Sequence, residues 1–484
     1  MIRNSIIYVF MSCFLLGSCD DFFDVNETPN NPIDVPPEVL LPTVLAASGF
    51  INSNELNRFG STIAVYLAGA GGSPRDYDLY DLNSNDFGNQ WNFEIYGGAI
   101  TDSQQLIDIA EADGASHYVG IAKILQAYAF SVATDCWGDV PYSQSPSTTI
   151  NQPRFDAQED IYLGNESLEI QSLFDLVREG VEDLKSASTL SPGTEDIAFN
   201  GDIDSWIRTG NTLLLKLANT ISIIDPSTAV SIINEVLADG QYIDSNSEDF
   251  NINFGTSVGS QAPVFTYTRN SLFSDDLIMS SRFLTLLQDS NDPRLSLYFT
   301  SPGGTFQTID NGENLTAVPD DEEDFSKYND YVTGANGEGP VRILTNFQVQ
   351  FILAESALNL SGFSGSQSVS EYYENGIRAS MELVGVDPTN IDIYIAANTL
   401  SSDPNIALEQ IITQKYIAWC GNGLEAWNDW RRTGFPVLAE SQNAVGIDGT
   451  RPVRLLYTND EINANPNVPD PVPQTNVRVW WDVN

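Results

Sequence analysis

Asp403-Pro404-Asn405-Ile406-Ala407-Leu408-Glu409-Gln410-Ile411-Ile412-Thr413-Gln414-Lys415-Tyr416-Ile417-Ala418-Trp419 carries a complete helix signal. Asp403 can accept from the free amides of a first turn. Pro404 stands at the first helical position, where a missing N–H costs nothing and φ is already set. Leu408, Ile411, Ile412, Tyr416 and Trp419 then recur on one face, so the segment predicts an amphipathic helix that buries this stripe. The same period links Tyr118, Ile121, Ala122, Leu125, Ala129 and Val132, and again Phe347, Phe351, Ala354 and Leu358. Further helices are predicted near 39–50, 89–111, 168–186, 204–222, 227–238, 279–288 and 370–384. The expected fold class is mainly α. Two neighbouring pairs, 89–111 with 116–134 and 344–361 with 370–384, have the dimensions of helix-turn-helix repeats of roughly 34 residues. Their sequences are too degenerate to define a repeat by themselves.

Between the helical patterns lie polar stretches rich in Gly, Asn, Asp and Ser: 69–90, 137–166, 241–278, 300–340 and 437–484. Loops of this length are either functional or ordered by packing on a scaffold. Pro466, Pro469, Pro471 and Pro473 make the stretch 463–474 an extended cover, because proline cannot donate to a helix or ladder.

At the other end, Leu16-Gly17-Ser18-Cys19 closes an apolar run, Ile6 to Leu16, preceded by Arg3. The run is too short to span a bilayer, and small residues before a cysteine are the layout of a lipoprotein export signal. The reading is a signal peptide over 1–18, lipidation at Cys19, a Pro-rich tether over 19–37 and a single domain over 38–484. An ordinary secretory signal with an incidental Cys19 is the alternative.

The chain has 66 Asp+Glu against 21 Lys+Arg, a formal net charge of −45. Such a surface repels nucleic acid and anionic lipid alike, which leaves acyl chains to hold it at a membrane. Charged residues make up only 18% while aromatics reach 11%, so the polar surface rests largely on neutral side chains.

No catalytic constellation stands out. His117 is the one histidine, and its place at the start of a helical pattern suits a surface or capping role. Zinc lacks ligands, and Gly69-Ala70-Gly71-Gly72 is not followed by the Lys-Ser or Lys-Thr pair of a phosphate loop. A glycosidase pair among 66 carboxylates is defined only in space, so a surface glycosidase remains a minor alternative. No cofactor is expected. Asp244, Asn246 and Glu248 alternate as calcium ligands do, yet Asp249 stands where a calcium loop needs glycine, which leaves a structural calcium ion as an open alternative. Cys136 and Cys420 fit a disulfide or two buried thiols equally well.

What remains is an aromatic excess in polar loops. Arg75-Asp76-Tyr77-Asp78-Leu79-Tyr80, Phe265-Thr266-Tyr267-Thr268-Arg269-Asn270 and the stretch Phe325 to Tyr331 interleave rings with amide, carboxylate and guanidinium groups. Sugars take such surfaces, stacking C–H faces on rings and pairing hydroxyls with planar polar groups. The ligand-binding candidates are therefore Tyr77, Tyr80 and Tyr267 as stacking planes, with Arg75, Arg269 and Asn270 as hydrogen-bonding partners. Rings that pin the loops to the scaffold are the competing reading, and Trp91, with Ile95 and Tyr96 close behind, reads as core.

Four stretches carry a resemblance: Trp91-Asn92-Phe93-Glu94-Ile95-Tyr96; Thr134-Asp135-Cys136-Trp137-Gly138-Asp139-Val140-Pro141-Tyr142; Phe347 through Glu355; and Gly423-Leu424-Glu425-Ala426-Trp427-Asn428-Asp429-Trp430-Arg431-Arg432-Thr433-Gly434. Asp204-Ser205-Trp206 with Asn211-Thr212-Leu213, and Pro452 to Tyr457 with Glu461, add to it. The chain resembles the SusD-like (SusD/RagB) outer-membrane nutrient-binding lipoproteins, in particular the SusD-like 2 branch. The motifs themselves look structural: Gly138 and Pro141 shape a helix exit, and Trp427, Trp430 and Arg431 can stack and cap. The resemblance implies tetratricopeptide-like helix pairs as a scaffold with a loop-rich irregular second half. It also implies a non-enzymatic glycan-binding lipoprotein, anchored in the outer membrane and facing the exterior, that delivers oligosaccharide to a SusC-like TonB-dependent transporter. Asp20-Asp21 after the lipidated cysteine match the surface-display pattern of such proteins. Peptide or other nutrient cargo, with the same fold and partner, is the alternative.

Overall fold

The fold is that of a computed structural model describing residues 35–269 and 272–484. Cys19, Asp20-Asp21 and the tether as far as residue 34 lie outside the described residues, as does Asn270. Asp403 caps as its position predicts, accepting from the amides of Asn405 at 2.9 Å and Ile406 at 3.4 Å, and the helix it opens runs Pro404–Ala418.

In chain order the main helices are α1 (Pro37–Ser53), α2 (Glu55–Ile63), α3 (Gly72–Asp78), α4 (Thr101–Asp113), α5 (Ser116–Trp137), α6 (Leu173–Lys185), α7 (Ile203–Ile221) and α8 (Pro226–Asp239). They continue as α9 (Pro263–Arg269), α10 (Ser281–Asp289), α11 (Asn346–Asn359), α12 (Val369–Val384), α13 (Pro388–Ala397), α14 (Pro404–Ala418) and α15 (Gly423–Thr433). Residues Gln90–Ile100, expected as the first half of an α-helix, instead form a π-helix that runs straight into α4.

Helices α4 to α8 pack each against the next, α7 meets α11, and α11 pairs with α12, which makes the tetratricopeptide-like scaffold. Backbone contact sets one of these crossings. A Cβ on Gly120 of α5 would lie 2.5 Å from the Gly180 oxygen of α6, so no larger residue fits there. The crossing of α2 and α15 is tighter still, since a Cβ on Gly423 would meet the Ser61 amide nitrogen at 1.9 Å.

Strand is confined to three two-stranded antiparallel ribbons among the described residues. β1 (Leu67–Gly69) pairs with β5 (Leu277–Met279), Ala68 facing Ile278. β2 (Val140–Pro141) pairs with β3 (Phe155–Asp156), and β4 (Phe250–Ile252) with β6 (Val341–Leu344).

The largest hydrophobic cluster draws on residues from Leu40 to Trp481, Trp91 among them. Where two of the motif stretches, 134–142 and 423–434, meet, the core is charged. Arg431 stacks 3.6 Å above the Trp427 ring and 4.6 Å from that of Trp481, and donates to the carbonyls of Asp135 at 2.7 Å and Val453 at 3.0 Å. Asp135 in turn accepts from Tyr162 Oη and Trp481 Nε1, both at 2.8 Å. Trp430, expected beside them, takes Arg451 at 5.0 Å. Cys136 and Cys420 are buried free thiols, and burial pushes the Cys136 thiol up to about 12.

Candidate functional site

Two of the stretches expected to be loops are short helices, and this decides where their rings point. In α3, Tyr77 is 2% exposed, stacks on Phe87 at 5.6 Å and donates its hydroxyl to Glu55 Oε1 at 2.6 Å. Tyr267 in α9 is 4% exposed; its hydroxyl accepts from Asn57 Nδ2 at 3.1 Å, and the Arg58 guanidinium lies 5.4 Å from its ring. Tyr80, just beyond α3 at φ 60°, is 3% exposed and its hydroxyl accepts from the Ser441 amide at 3.0 Å. The expectation that these three tyrosines offer stacking planes is therefore corrected. A one- or two-turn helix turns one side inward, and the rings fill the core.

The hydrogen-bonding candidates divide. Arg75, half-buried, turns back on its own element, with Nη1 3.5 Å from the Gly69 oxygen and 4.0 Å from Asp78 Oδ2. Arg269 is exposed at the end of α9, where Nη2 donates to the Tyr328 oxygen at 3.1 Å and lies 3.6 Å from Asp330.

Arg269 opens onto a cleft of about 370 Å³ whose walls include Thr268, Thr300, Glu322, Phe325 and Lys327. Thr300 and Lys327 are tied through their backbones: the Thr300 amide donates to the Lys327 oxygen at 2.9 Å, and the Lys327 amide donates to Thr300 Oγ1 at 3.0 Å. The Lys327 ammonium stands 5.5 Å from the Phe325 ring. Burial, which disfavours the charged form, holds its pKa below the usual lysine range, although Glu322 pulls the other way. Ser274 Oγ donates to Glu322 Oε2 at 2.5 Å. Beside Ser274, Phe273 keeps 39% of its surface and Leu272 75%. The cleft thus offers two cations, hydroxyls and two carboxylates beside the buried Phe325 ring, with Phe273 next to Ser274 in the chain and outside the lining.

Lys327 falls within the stretch Phe325 to Tyr331 that the sequence singled out, but nothing local marks it. Lys327 enters the site only because the segments around 268, 300 and 325 fold together.

The cleft is suited to binding. Glu322 and Glu323 share one 3-10 turn (Glu322–Asp324) and so one wall, whereas a glycosidase pair flanks its bond from two sides. His117 holds Ser191 Oγ at 2.8 Å from Nδ1, far along the chain from these walls. In the stretch that alternates as calcium ligands do, Glu248 pairs with Arg208 at 3.1 Å, and Asn246 donates its amide to the Ala379 oxygen at 2.9 Å. Among the described residues no group of three or more acidic, histidine or cysteine side chains is placed to hold a metal ion, and no helix is long and apolar enough to cross a membrane.

Solved structures with the same architecture carry related descriptions. A chitin-binding protein is 25% identical and superposes with a TM-score of 0.78, over 93% of this chain and 100% of that one. A chitin-binding SusD homologue from Flavobacterium johnsoniae is 22% identical, with a TM-score of 0.74 over 92% and 99%. A SusD homologue from Bacteroides uniformis is 22% identical, with a TM-score of 0.77 over 92% and 99%. No curated protein matches the sequence. The SusD-like 2 family model, described as starch-binding and associating with the outer membrane, matches residues 29–458, and the chain belongs to that family.

Proposed function

We propose that this protein is a non-enzymatic glycan-binding lipoprotein, anchored through Cys19 on the outer face of the outer membrane, which captures oligosaccharides and passes them to a SusC-like TonB-dependent transporter. The observation that carries the reading is the open cleft beside Arg269 and Lys327 on a SusD-like scaffold. It combines the hydroxyls of Ser274 and Thr300 with the cationic donors of Arg269 and Lys327, and the partly exposed ring of Phe273 precedes Ser274 in the chain. Such a surface grips a sugar by stacking and hydrogen bonds without needing a proton to move. Two of the solved relatives are described as chitin-binding, which makes β-linked N-acetylglucosamine oligosaccharides the first cargo to test.

The test is calorimetric titration of the protein with chitohexaose, after a glycan array to widen the choice. Phe273→Ala and Lys327→Ala are each expected to weaken binding by about threefold to tenfold while the melting temperature holds. Binding of peptides with no response to any glycan would favour the peptide-cargo alternative. The anchor is tested separately by fatty-acid probe labelling: Cys19→Ala is expected to abolish the label, and persistent label would remove the lipid from the reading.

A further inference from the structure

Five Asn-Gly pairs occur in the sequence: Asn200-Gly201, Asn311-Gly312, Asn336-Gly337, Asn375-Gly376 and Asn422-Gly423. Such a pair can react with itself, because a glycine amide nitrogen has no Cβ beside it to keep it from the asparagine side-chain carbon. Whether it does so depends on how firmly the fold holds both groups.

Four of the pairs are held. The Gly201 amide donates to Asp196 Oδ2 at 3.0 Å, and the Gly312 amide to Asp78 Oδ2 at 2.6 Å. Asn311 is itself 1% exposed, its Nδ2 donating to the Leu67 oxygen at 2.9 Å and to Asp78 Oδ1 at 2.7 Å. Gly376 lies inside α12, where its amide belongs to the helix ladder, and Asn375 Nδ2 donates to Gln367 Oε1 at 2.8 Å. The Gly423 amide donates to Asn57 Oδ1 at 2.8 Å, and Asn422 is buried.

Asn336-Gly337 differs. Asn336 is exposed in a bend before β6, and among the described residues neither its side chain nor the Gly337 amide takes part in a hydrogen bond. The bonds there run through other atoms: Gln261 Nε2 donates to the Asn336 oxygen at 2.6 Å, the Ala262 amide to the Gly337 oxygen at 2.9 Å, and the Asn336 amide to Glu338 Oε2 at 2.8 Å. Gly337 cannot be exchanged, since its φ is +100° and a Cβ would lie 2.6 Å from Gln261 Cγ. The fold thus requires the residue that makes the pair reactive.

We propose that Asn336 is a site of spontaneous deamidation, the one Asn-Gly pair that reacts in the folded chain. The Gly337 nitrogen attacks Asn336 Cγ, and the new C–N bond closes a succinimide ring. The bond from Cγ to Nδ2 breaks, and ammonia leaves with the proton given up by the Gly337 amide. Water then opens the ring at either carbonyl, giving aspartate or isoaspartate. In isoaspartate the main chain runs through the β carbon, so the carbonyl that accepted from Gln261 becomes a free carboxylate and Gly337 is displaced by one added carbon. That displacement breaks the tie to Ala262, which stands immediately before α9, the helix that ends at Arg269 on the cleft. The inference does not depend on what the cleft carries.

Ageing the full chain in mildly alkaline buffer, followed by tryptic mass mapping and labelling with protein isoaspartyl methyltransferase, tests it. The peptide 328–342 is expected to gain one mass unit and to accept methyl groups at least about tenfold faster than peptides carrying the other pairs, which must first give up hydrogen bonds. Asn336→Gln is expected to remove both signals. Hydrogen exchange at the Ala262 amide is expected to rise about tenfold in the aged chain and to stay unchanged in Asn336→Asp, which gains the charge without the added carbon. A peptide 328–342 that stays unmodified, or another of the five pairs reacting first, would overturn the proposal, and unchanged Ala262 exchange in the aged chain would overturn the link to α9.

Discussion

Arg432 and Glu355, 77 positions apart in the sequence, form a forked ion pair in the core: Nη2 meets Oε2 at 2.8 Å and Nη1 closes on Oε1. Asp429 accepts from the same guanidinium at 3.0 Å and also takes Lys415 at 3.0 Å, while Lys216 pairs with Glu425 at 3.1 Å. Burial works against the Arg432 charge, but Glu355 and Asp429 outweigh it and hold its pKa above the usual arginine range. Two of the sequence motifs, Phe347 to Glu355 and Gly423 to Gly434, are thereby joined by charge.

Removing one member of such a pair leaves the other charge buried and uncompensated. Glu355→Gln is expected to cost about 3–5 kcal/mol of stability, measured by urea unfolding. A loss under about 1 kcal/mol would mean that the surrounding polar groups compensate Arg432 without Glu355.

The three tyrosines behave differently from binding residues in this fold. Tyr77→Ala and Tyr267→Ala are expected to lower stability by about 3–5 kcal/mol, the usual cost of emptying a buried aromatic site. Tyr77→Phe removes only the bond to Glu55 and is expected to cost about 1.5–3 kcal/mol. Thermal melts beside glycan titrations separate the cases. Unchanged melting with weakened binding would return these rings to the cargo face.

Stability is expected to fall as pH rises from about 4.5 towards 7. Burial pushes Glu94 and Asp249 up to about 7 and Asp78 up to about 6, against hydrogen bonds that favour the ionised forms. Between the ordinary carboxylate range and those values the folded chain keeps protons that the unfolded chain has released. Each unit of pH in that window therefore favours unfolding, and the effect levels off above about 7. Carboxylates held low, such as Asp310 and Asp429, are already ionised across the window and do not reverse the sign. Urea midpoints at constant ionic strength read the slope, and Asp249→Asn is expected to flatten part of it. A midpoint that climbs from pH 4.5 to 7 contradicts this account.

Trp481 is fully buried against Arg431 and bonded to Asp135, so Trp481→Ala is expected to cost about 3–5 kcal/mol. Arg431→Lys, which keeps the charge and loses the flat stacking face, is expected to cost about 2 kcal/mol. The loss in the double variant should be smaller than the sum of the two single losses, since both break the same stack. Full additivity in urea unfolding would mean that the contact between them contributes nothing.

The long helices were legible because cap and period coincide, as where Asp403 and Pro404 open α14. Helices α3 and α9 were not, because seven residues hold too few turns to display a period. What buries their tyrosines also lies elsewhere, with Asn57 210 positions from Tyr267. Arg269 was placed at the cleft by its own stretch. Lys327 reaches the same cleft through tertiary folding, for which neither periodicity nor local composition gives a signal.

The bond between Asp135 and Trp481 spans 346 residues. Contacts of that reach form late, because the intervening chain must first be gathered. The far end of α5, with the buried carboxylate of Asp135 and the guanidinium of Arg431, stays open until a residue that late in the chain arrives. During synthesis the chain has to emerge as far as Trp481 before this corner can shut. Until then Asp135 and Arg431 stay open to water, and to any chaperone that meets them.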